Sequence, residues 1–168
     1  MKIGVLSDTH GWIHPGLLKF FNDVDEIWHA GDIGGLATAD SLSALKPLKA
    51  VHGNIDDARV RLVYPAVCIF TVEKKKVLLT HIAGTPGKYV PDIRKLIVQE
   101  KPDILVCGHS HITKVMFDKN SNLLYINPGA AGFQGFHSVM TAIRFRIEEE
   151  RIFDLEVIEL GERGKVNR

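Results

Sequence analysis

The sequence predicts an α/β protein in which two β-sheets pack together and carry helices on their outer faces. Three observations predict it. Short apolar runs rich in Val and Ile alternate with longer amphipathic segments in the first half, a charged hairpin opens the second half, and a series of strand-like runs joined by short turns closes it. Residues 2–6, 26–29 and 48–52 read as buried strands, being brief and stopped by turn residues. Between them, residues 15–22 and 38–45 carry helical spacing, and His14-Pro15 suits a helix start because Pro is tolerated in the first turn. This β-α-β-α-β order favours a parallel sheet with right-handed crossovers. Residues 67–72 and 77–80 flank Glu73-Lys74-Lys75-Lys76 as an antiparallel hairpin with a charged turn. Residues 89–99 form a helix with Ile93, Leu96 and Ile97 on one face. Residues 104–107 are an apolar strand, and strands at 113–117, 123–126, 138–147 and 151–159 follow.

A chain of 168 residues suits one domain at about 100–200 residues per domain, assigned to residues 1–160 with a polar tail at 161–168. Hydrophobic residues at 45% and charged residues at 24% exclude disorder, collagen-like structure and coiled coil. Lys plus Arg (21) against Asp plus Glu (20) leaves +1, so no overall basic field draws the chain to nucleic acid or an anionic membrane. The Lys74-Lys75-Lys76 run is too short to argue otherwise. No apolar run approaches the ~18 residues of a membrane span. The start Met1-Lys2-Ile3-Gly4-Val5-Leu6-Ser7-Asp8 turns polar too soon for a signal peptide. Cys68 and Cys107 stand alone, without the spacing of a disulfide framework or a zinc knuckle. A cytoplasmic location is the expectation, and a homo-oligomer stays open.

The chemistry lies in what ends each strand. Ser7-Asp8-Thr9-His10-Gly11 ends the first, Ala30-Gly31-Asp32 the second and His52-Gly53-Asn54-Ile55-Asp56 the third. Leu79-Thr80-His81 ends the hairpin strand, and Gly108-His109-Ser110-His111 follows residues 104–107. In open α/β sheets ligands bind outside the carboxyl ends of the strands, so five strand ends deliver Asp8, His10, Asp32, Asn54, His81, His109 and His111 to one place. Any one of these is well explained as a turn or cap residue. The set is not, because unrelated turns have no reason to gather four of the eight histidines. Mixed O and N donors suit Mn, Fe, Zn or Ni better than Mg or Ca, and the absence of a thiolate argues against a structural zinc site. Seven ligands exceed one tetrahedral metal and suit two ions, with Asp32 the expected bridge. Two divalent ions against two aspartates leave a net positive site that attracts an anion, and phosphate esters are the obvious class. Two such ions lower the pKa of a shared water towards ~7 and so supply a hydroxide nucleophile for phosphoester hydrolysis.

These motifs, D-x-H, G-D, G-N, a strand-terminal H and G-H-x-H in this order, resemble the calcineurin-like metallophosphoesterase superfamily over residues 1–132. The Gly53-Asn54-Ile55-Asp56 form is most similar to its compact bacterial and archaeal phosphodiesterases. The resemblance implies a four-layer α/β/β/α sandwich of two mixed β-sheets flanked by helices, with a dinuclear centre. Asp8, His10, Asp32 and His111 would hold one metal, and Asp32, Asn54, His81 and His109 the other. Manganese is the metal it suggests, with Ni, Zn or Fe open. Asn127-Pro128-Gly129 would form a rigid wall near the site. Many members carry a His directly after G-N, proposed to protonate or orient the leaving group. Ile55 stands there instead, which leaves that group unassigned.

The expected catalytic set is therefore Asp32, Asn54 and Asp56, acting on a small phosphodiester. Two roles are open to Asp56, general acid or acceptor orienting a ligand, and nearby cations, by favouring the charged carboxylate, favour the second. The rival readings are a non-catalytic metal-binding scaffold of the same fold, with the retromer subunit as precedent, and a phosphomonoesterase. His29 reads as core, His137 as a solvated loop residue and His14 as a helix-start residue. His52 is balanced between supporting the site and packing. Gly84-Thr85-Pro86-Gly87 reads as a turn or a cleft border, and Phe133 and Phe136 as closing over a ligand or forming a subunit contact.

Overall fold

The computed structural model describes residues 1–163. Its first sheet is built from β1 (Lys2–Leu6), β2 (Glu26–His29), β3 (Leu48–Ala50), β11 (Val139–Glu148) and β12 (Arg151–Glu162), in the order β12-β11-β1-β2-β3. The three N-terminal strands run parallel, and β11 pairs antiparallel with β1. The second sheet holds β4 (Val67–Val72), β5 (Lys75–Thr80), β8 (Ile104–Val106), β9 (Thr113–Asp118) and β10 (Leu123–Pro128), in the order β4-β5-β8-β10-β9. Its centre, β5-β8-β10, is parallel and its two edges antiparallel, so both sheets are mixed.

Strand periodicity explains the layering. Along β1, Ile3 and Val5 point between the sheets, where they meet Trp28, Val77, Leu79, Val106 and Ile126, while Leu6 points outward. Outside the first sheet, Leu6 and Ile27 receive Leu17 of α1 (Pro15–Phe20) and Leu42 of α2 (Leu36–Leu45). Outside the second, Leu78, Leu105 and Tyr125 receive Ile93 and Ile97 of α4 (Pro91–Glu100). The central parallel strands are covered on both faces, which is why residues 3–6, 77–79 and 104–106 read as apolar runs. The result is helices, sheet, sheet, helix.

Most boundaries move by one to three residues. The hairpin turn is only Glu73-Lys74, with Glu73 left-handed at φ +54°, and Lys75 and Lys76 belong to β5. Tyr89 leaves the expected helix and pairs through β7 (Lys88–Tyr89) with β6 (Gly84–Thr85), so Pro86-Gly87 is the turn of a small hairpin. The sequence reading has no counterpart of α3 (Ala58–Val63), which Asp57 caps by accepting from the Val60 amide at 3.0 Å. Gly161 and Glu162, assigned to the tail, pair with Met140 and Val139 at the end of β12, and the tail's residues 164–168 lie outside the described residues. Among the described residues no helix is long and apolar enough to cross a membrane.

Candidate metal centre

The parallel strands β1, β2 and β3 finish on one edge of the first sheet and β5 and β8 on the matching edge of the second. Beyond Leu6 and His29 the ladder continues into the loops: the amides of Asp8, His10 and Gly11 donate to the carbonyls of Gly31, Asp32 and Ile33 at 2.8–3.0 Å. That zipper fixes the Asp8, His10 and Asp32 loops against one another. Five of the seven expected ligands, Asp8, His10, Asp32, His109 and His111, have positive φ between +49° and +67°. Such conformations are sparsely populated and cluster where surrounding structure imposes them. Close approach is equally constrained at Gly53, where a Cβ would fall 2.0 Å from Asp32 Oδ1.

Two donor groups result. Asp8, His10 and His111 offer ligand atoms within 4.8 Å of one another, and so do Asp8, Asp32 and His81. Asp8 is thus common to both groups. Asp32 also faces both, with Oδ1 at 3.3 Å from His81 Nε2 and Oδ2 at 3.9 Å from His10 Nε2. Asn54 Oδ1 joins at 3.0 Å from His81 Nε2. His109 is brought beside His81, ring centroids 5.2 Å apart, and its amide donates to Asp8 Oδ2 at 3.1 Å, but its ring enters neither donor group.

The donor chemistry fits cations. His81 Nδ1 lies 2.7 Å from the Ala30 carbonyl, which only accepts, so that nitrogen carries the ring proton. The neutral ring then aims a bare Nε2 at two further acceptors, Asn54 Oδ1 and Asp32 Oδ1, an arrangement that needs a positive charge among them. Asp8 Oδ1 and His10 Nε2 are buried without a hydrogen bond; His111 Nε2 lies 3.1 Å from that oxygen but without hydrogen-bond geometry. An orphaned buried polar atom costs about 1–3 kcal/mol, and a metal ion removes that cost. Burial, the largest effect, opposes charge on His81, yet the hydrogen bond to Asp32, the Asp8 and Asp32 charges and the Ala30 carbonyl raise its pKa above the ordinary value. Burial likewise opposes ionisation of Asp32, but His81, the Ile55 amide and His10 hold its carboxyl below the usual range.

Asp56 requires a correction. Its buried carboxylate accepts from the Ile33 amide at 3.1 Å, Gly34 at 2.8 Å and Gly53 at 2.8 Å, so both oxygens are engaged in tying the Asp32 loop to the Asn54 loop. It is a clasp between loops and lines neither cavity at the centre. His137 is corrected too: it is partly buried, with Nδ1 3.1 Å from His111 Nδ1 and Nε2 2.9 Å from the Gly132 carbonyl. His29 is core and His14 caps α1. Asn127 props the His109 loop, its Nδ2 donating to the Gly108 carbonyl and Ser110 Oγ. Phe133 packs on Trp12, while Phe136 is fully exposed at the rim.

Arg61 of α3 had no motif to announce it. It donates to the carbonyls of Gly53, Asn54 and Asp56 and so holds the Asn54 loop from outside. Two cavities meet at Asn54. One, about 250 Å³, is lined by His10, Asp32, His109 and His111 with Ile55 and Phe136 at its rim. The other, about 370 Å³, is lined by His81 and Arg61 with Val67, Ile82 and Ile93.

A family model described as the calcineurin-like phosphoesterase superfamily domain matches residues 1–150. A probable metallophosphoesterase of Methanothermobacter thermautotrophicus is 29% identical over 96% of this chain and 94% of its own. A phosphodiesterase of Methanocaldococcus jannaschii is 27% identical over 77% of this chain and 83% of its own. Among solved structures, a single mutant of Vps29 from Entamoeba histolytica superposes with a TM-score of 0.75 at 18% identity, covering 95% of this chain and 99% of that one. That likeness shows the fold alone.

Proposed function

We propose that this chain, which belongs to the calcineurin-like phosphoesterase superfamily, is a phosphodiesterase that works with two divalent cations. The observation that carries the reading is the pair of donor groups meeting at Asp8, with Asp8 Oδ1 and His10 Nε2 buried and unsatisfied. Asp8, His10 and His111 would hold one ion, and Asp8, Asp32 and His81, with Asn54 beside them, the second. Manganese is our assignment, and Ni, Zn or Fe suit the same N and O donors. Bound there, such ions supply positive charge for a phosphate ester and lower the pKa of a water towards ~7.

The chain's own residues favour a diester. A diester has two organic arms, and Asn54 stands where two cavities meet, both with apolar walls. A dianionic monoester calls for added cationic partners, and Arg61, the cation in these walls, already donates to three carbonyls. Phosphodiesterase activity of the M. jannaschii relative supports the same choice. The scaffold reading draws on the fold likeness to Vps29. The intact donor groups support the enzyme.

The test is to strip the protein with a chelator, reload it with Mn²⁺ under calorimetry, and compare turnover of bis-p-nitrophenyl phosphate with p-nitrophenyl phosphate. Two equivalents bound and a preference for the diester are expected, with Asp32→Asn and Asn54→Ala losing metal and turnover together. Full turnover and metal content in Asn54→Ala would overturn the site assignment. No turnover with Mn, Ni, Zn or Fe would replace the enzyme by the scaffold, and a faster monoester would change the substrate class.

A further inference from the structure

A histidine ligates a metal only through a ring nitrogen that has no proton, and the hydrogen bond made by the other nitrogen decides which one that is. For His81 a backbone carbonyl settles the question directly, since Ala30 can only accept from Nδ1. His111 is served differently. Its Nε2 lies 3.1 Å from Asp8 Oδ1 on the metal side, and its Nδ1 lies 3.1 Å from Nδ1 of His137. Two ring nitrogens at that distance form a hydrogen bond only if one is protonated and the other is not.

The far side of His137 decides which. Its Nε2 is 2.9 Å from the Gly132 carbonyl, which has no proton to give, so Nε2 carries the proton of the His137 ring. In the neutral ring Nδ1 is then bare and accepts. His111 must therefore donate from Nδ1, which leaves a lone pair on Nε2, facing Asp8. The ring centroids are 5.0 Å apart and the two nitrogens 3.1 Å apart, so the nitrogens lie between the rings, with the ring planes inclined at 70°. Gly135 closes over the pair with φ +123°. A Cβ there would fall 2.2 Å from His111 Nδ1 and 3.2 Å from His137 Nδ1, so the backbone covers this contact at a distance that only glycine permits.

We propose that His137 is a positioning residue: the Gly132 carbonyl fixes the tautomer of His137, and His137 in turn fixes His111 as an Nε2 donor to the metal centre. The role rests on the reading of the site as a metal centre. It gives the loop between β10 and β11 a direct hand in assembling a ligand carried on the loop after β8.

The test uses the full chain and two substitutions of similar size. An Asn side chain places its amide oxygen near the position of His137 Nδ1, keeping the acceptor for His111 and losing the bond to Gly132. A Gln side chain reaches the position of Nε2, keeping the bond to Gly132 and losing the acceptor. In metal-free, ¹⁵N-labelled wild type, long-range ¹⁵N–¹H correlation is expected to show His111 protonated on Nδ1 and His137 on Nε2. His137→Asn should preserve that His111 tautomer and near-wild-type Mn²⁺ affinity. His137→Gln should lose the tautomer and weaken Mn²⁺ about tenfold or more, the usual effect of removing a partner behind a ligand. The opposite ranking, Gln retained and Asn lost, would mean that His137 merely anchors its loop. His111 protonated on Nε2, or His137 protonated on both nitrogens, in a wild type that binds Mn²⁺ would overturn this inference and leave the metal reading standing. Failure of the wild type to bind Mn²⁺ would overturn the metal reading, whatever the tautomers show.

Discussion

Replacing Asp56 by Asn separates a loop clasp from a proton donor. The carboxylate accepts three amides, two on Oδ2 (Ile33 and Gly53) and one on Oδ1 (Gly34). An Asn whose oxygen takes the place of Oδ2 keeps two of these bonds but without the charge, at a loss of about 1 kcal/mol each. Its amide group then faces the Gly34 N–H, donor against donor. Gly34 is exposed and water can reach it, so this third loss is held to about 1 kcal/mol. The sum is about 3 kcal/mol, which for a chain of this length lowers Tm by about 6–12 °C at ~2–4 °C per kcal/mol. Because the clasp ties the Asp32 loop to the Asn54 loop, Mn²⁺ affinity should fall with it. Thermal unfolding of the metal-free protein, Mn²⁺ titration and a pH–rate profile on a chromogenic diester make the assay. An unchanged Tm with a collapse of kcat and the loss of one limb of the profile would refute the clasp and restore Asp56 as a general acid.

His29 gives a pH prediction. It accepts the Gly31 amide on Nδ1, and its Nε2 meets Thr9 Oγ1, whose own proton goes to the Ile33 carbonyl, so a second ring proton would oppose the Gly31 N–H. Burial is the main cause that lowers its pKa from 6.5 to about 4. The folded state binds this proton later than the unfolded one. The metal-free protein should therefore keep the full contribution above pH 6.5 and lose about 3 kcal/mol as pH falls through 4. Urea midpoints for wild type and His29→Asn between pH 7.5 and 4 should converge, and parallel curves would refute it. In Gly53→Ala the new methyl meets Asp32 Oδ1 and the Asp32 amide at 2.0 and 2.3 Å, and backbone cannot yield cheaply, so Mn²⁺ binding measured by calorimetry should be lost. Burial pushes the Cys107 thiol up to about 12. Ellman's reagent followed by mass spectrometry should leave Cys107 unmodified until the protein unfolds, and labelling in the native state would contradict the burial.

Legibility followed the physics of each element. β1 and β2 were readable to the residue because their apolar stretches, residues 3–6 and 27–28, are covered on both faces and end where polar residues begin. α3 was not, since Leu62 and Val63 are exposed and leave no periodic stripe; its signal is the Asp57 cap alone. The β6–β7 hairpin is two residues a side, shorter than any pattern can register.

By itself the sequence determined the succession of most strands along the chain, the five polar strand ends and the seven residues expected as donors, because a residue's chemistry and its place after an apolar run are local facts. Only tertiary structure decided how those donors divide. Asp8 is common to both donor groups, Asp32 faces both, the His109 ring lies beside that of His81 and Asp56 ties two loops, since left-handed backbone and the zipper between the first two loops set where each side chain points. The meeting of His111 with His137, and of Arg61 with three loop carbonyls, depends on chain segments far apart in sequence or on a helix with no pattern to reveal it, and arises only when both sheets have closed around their common core.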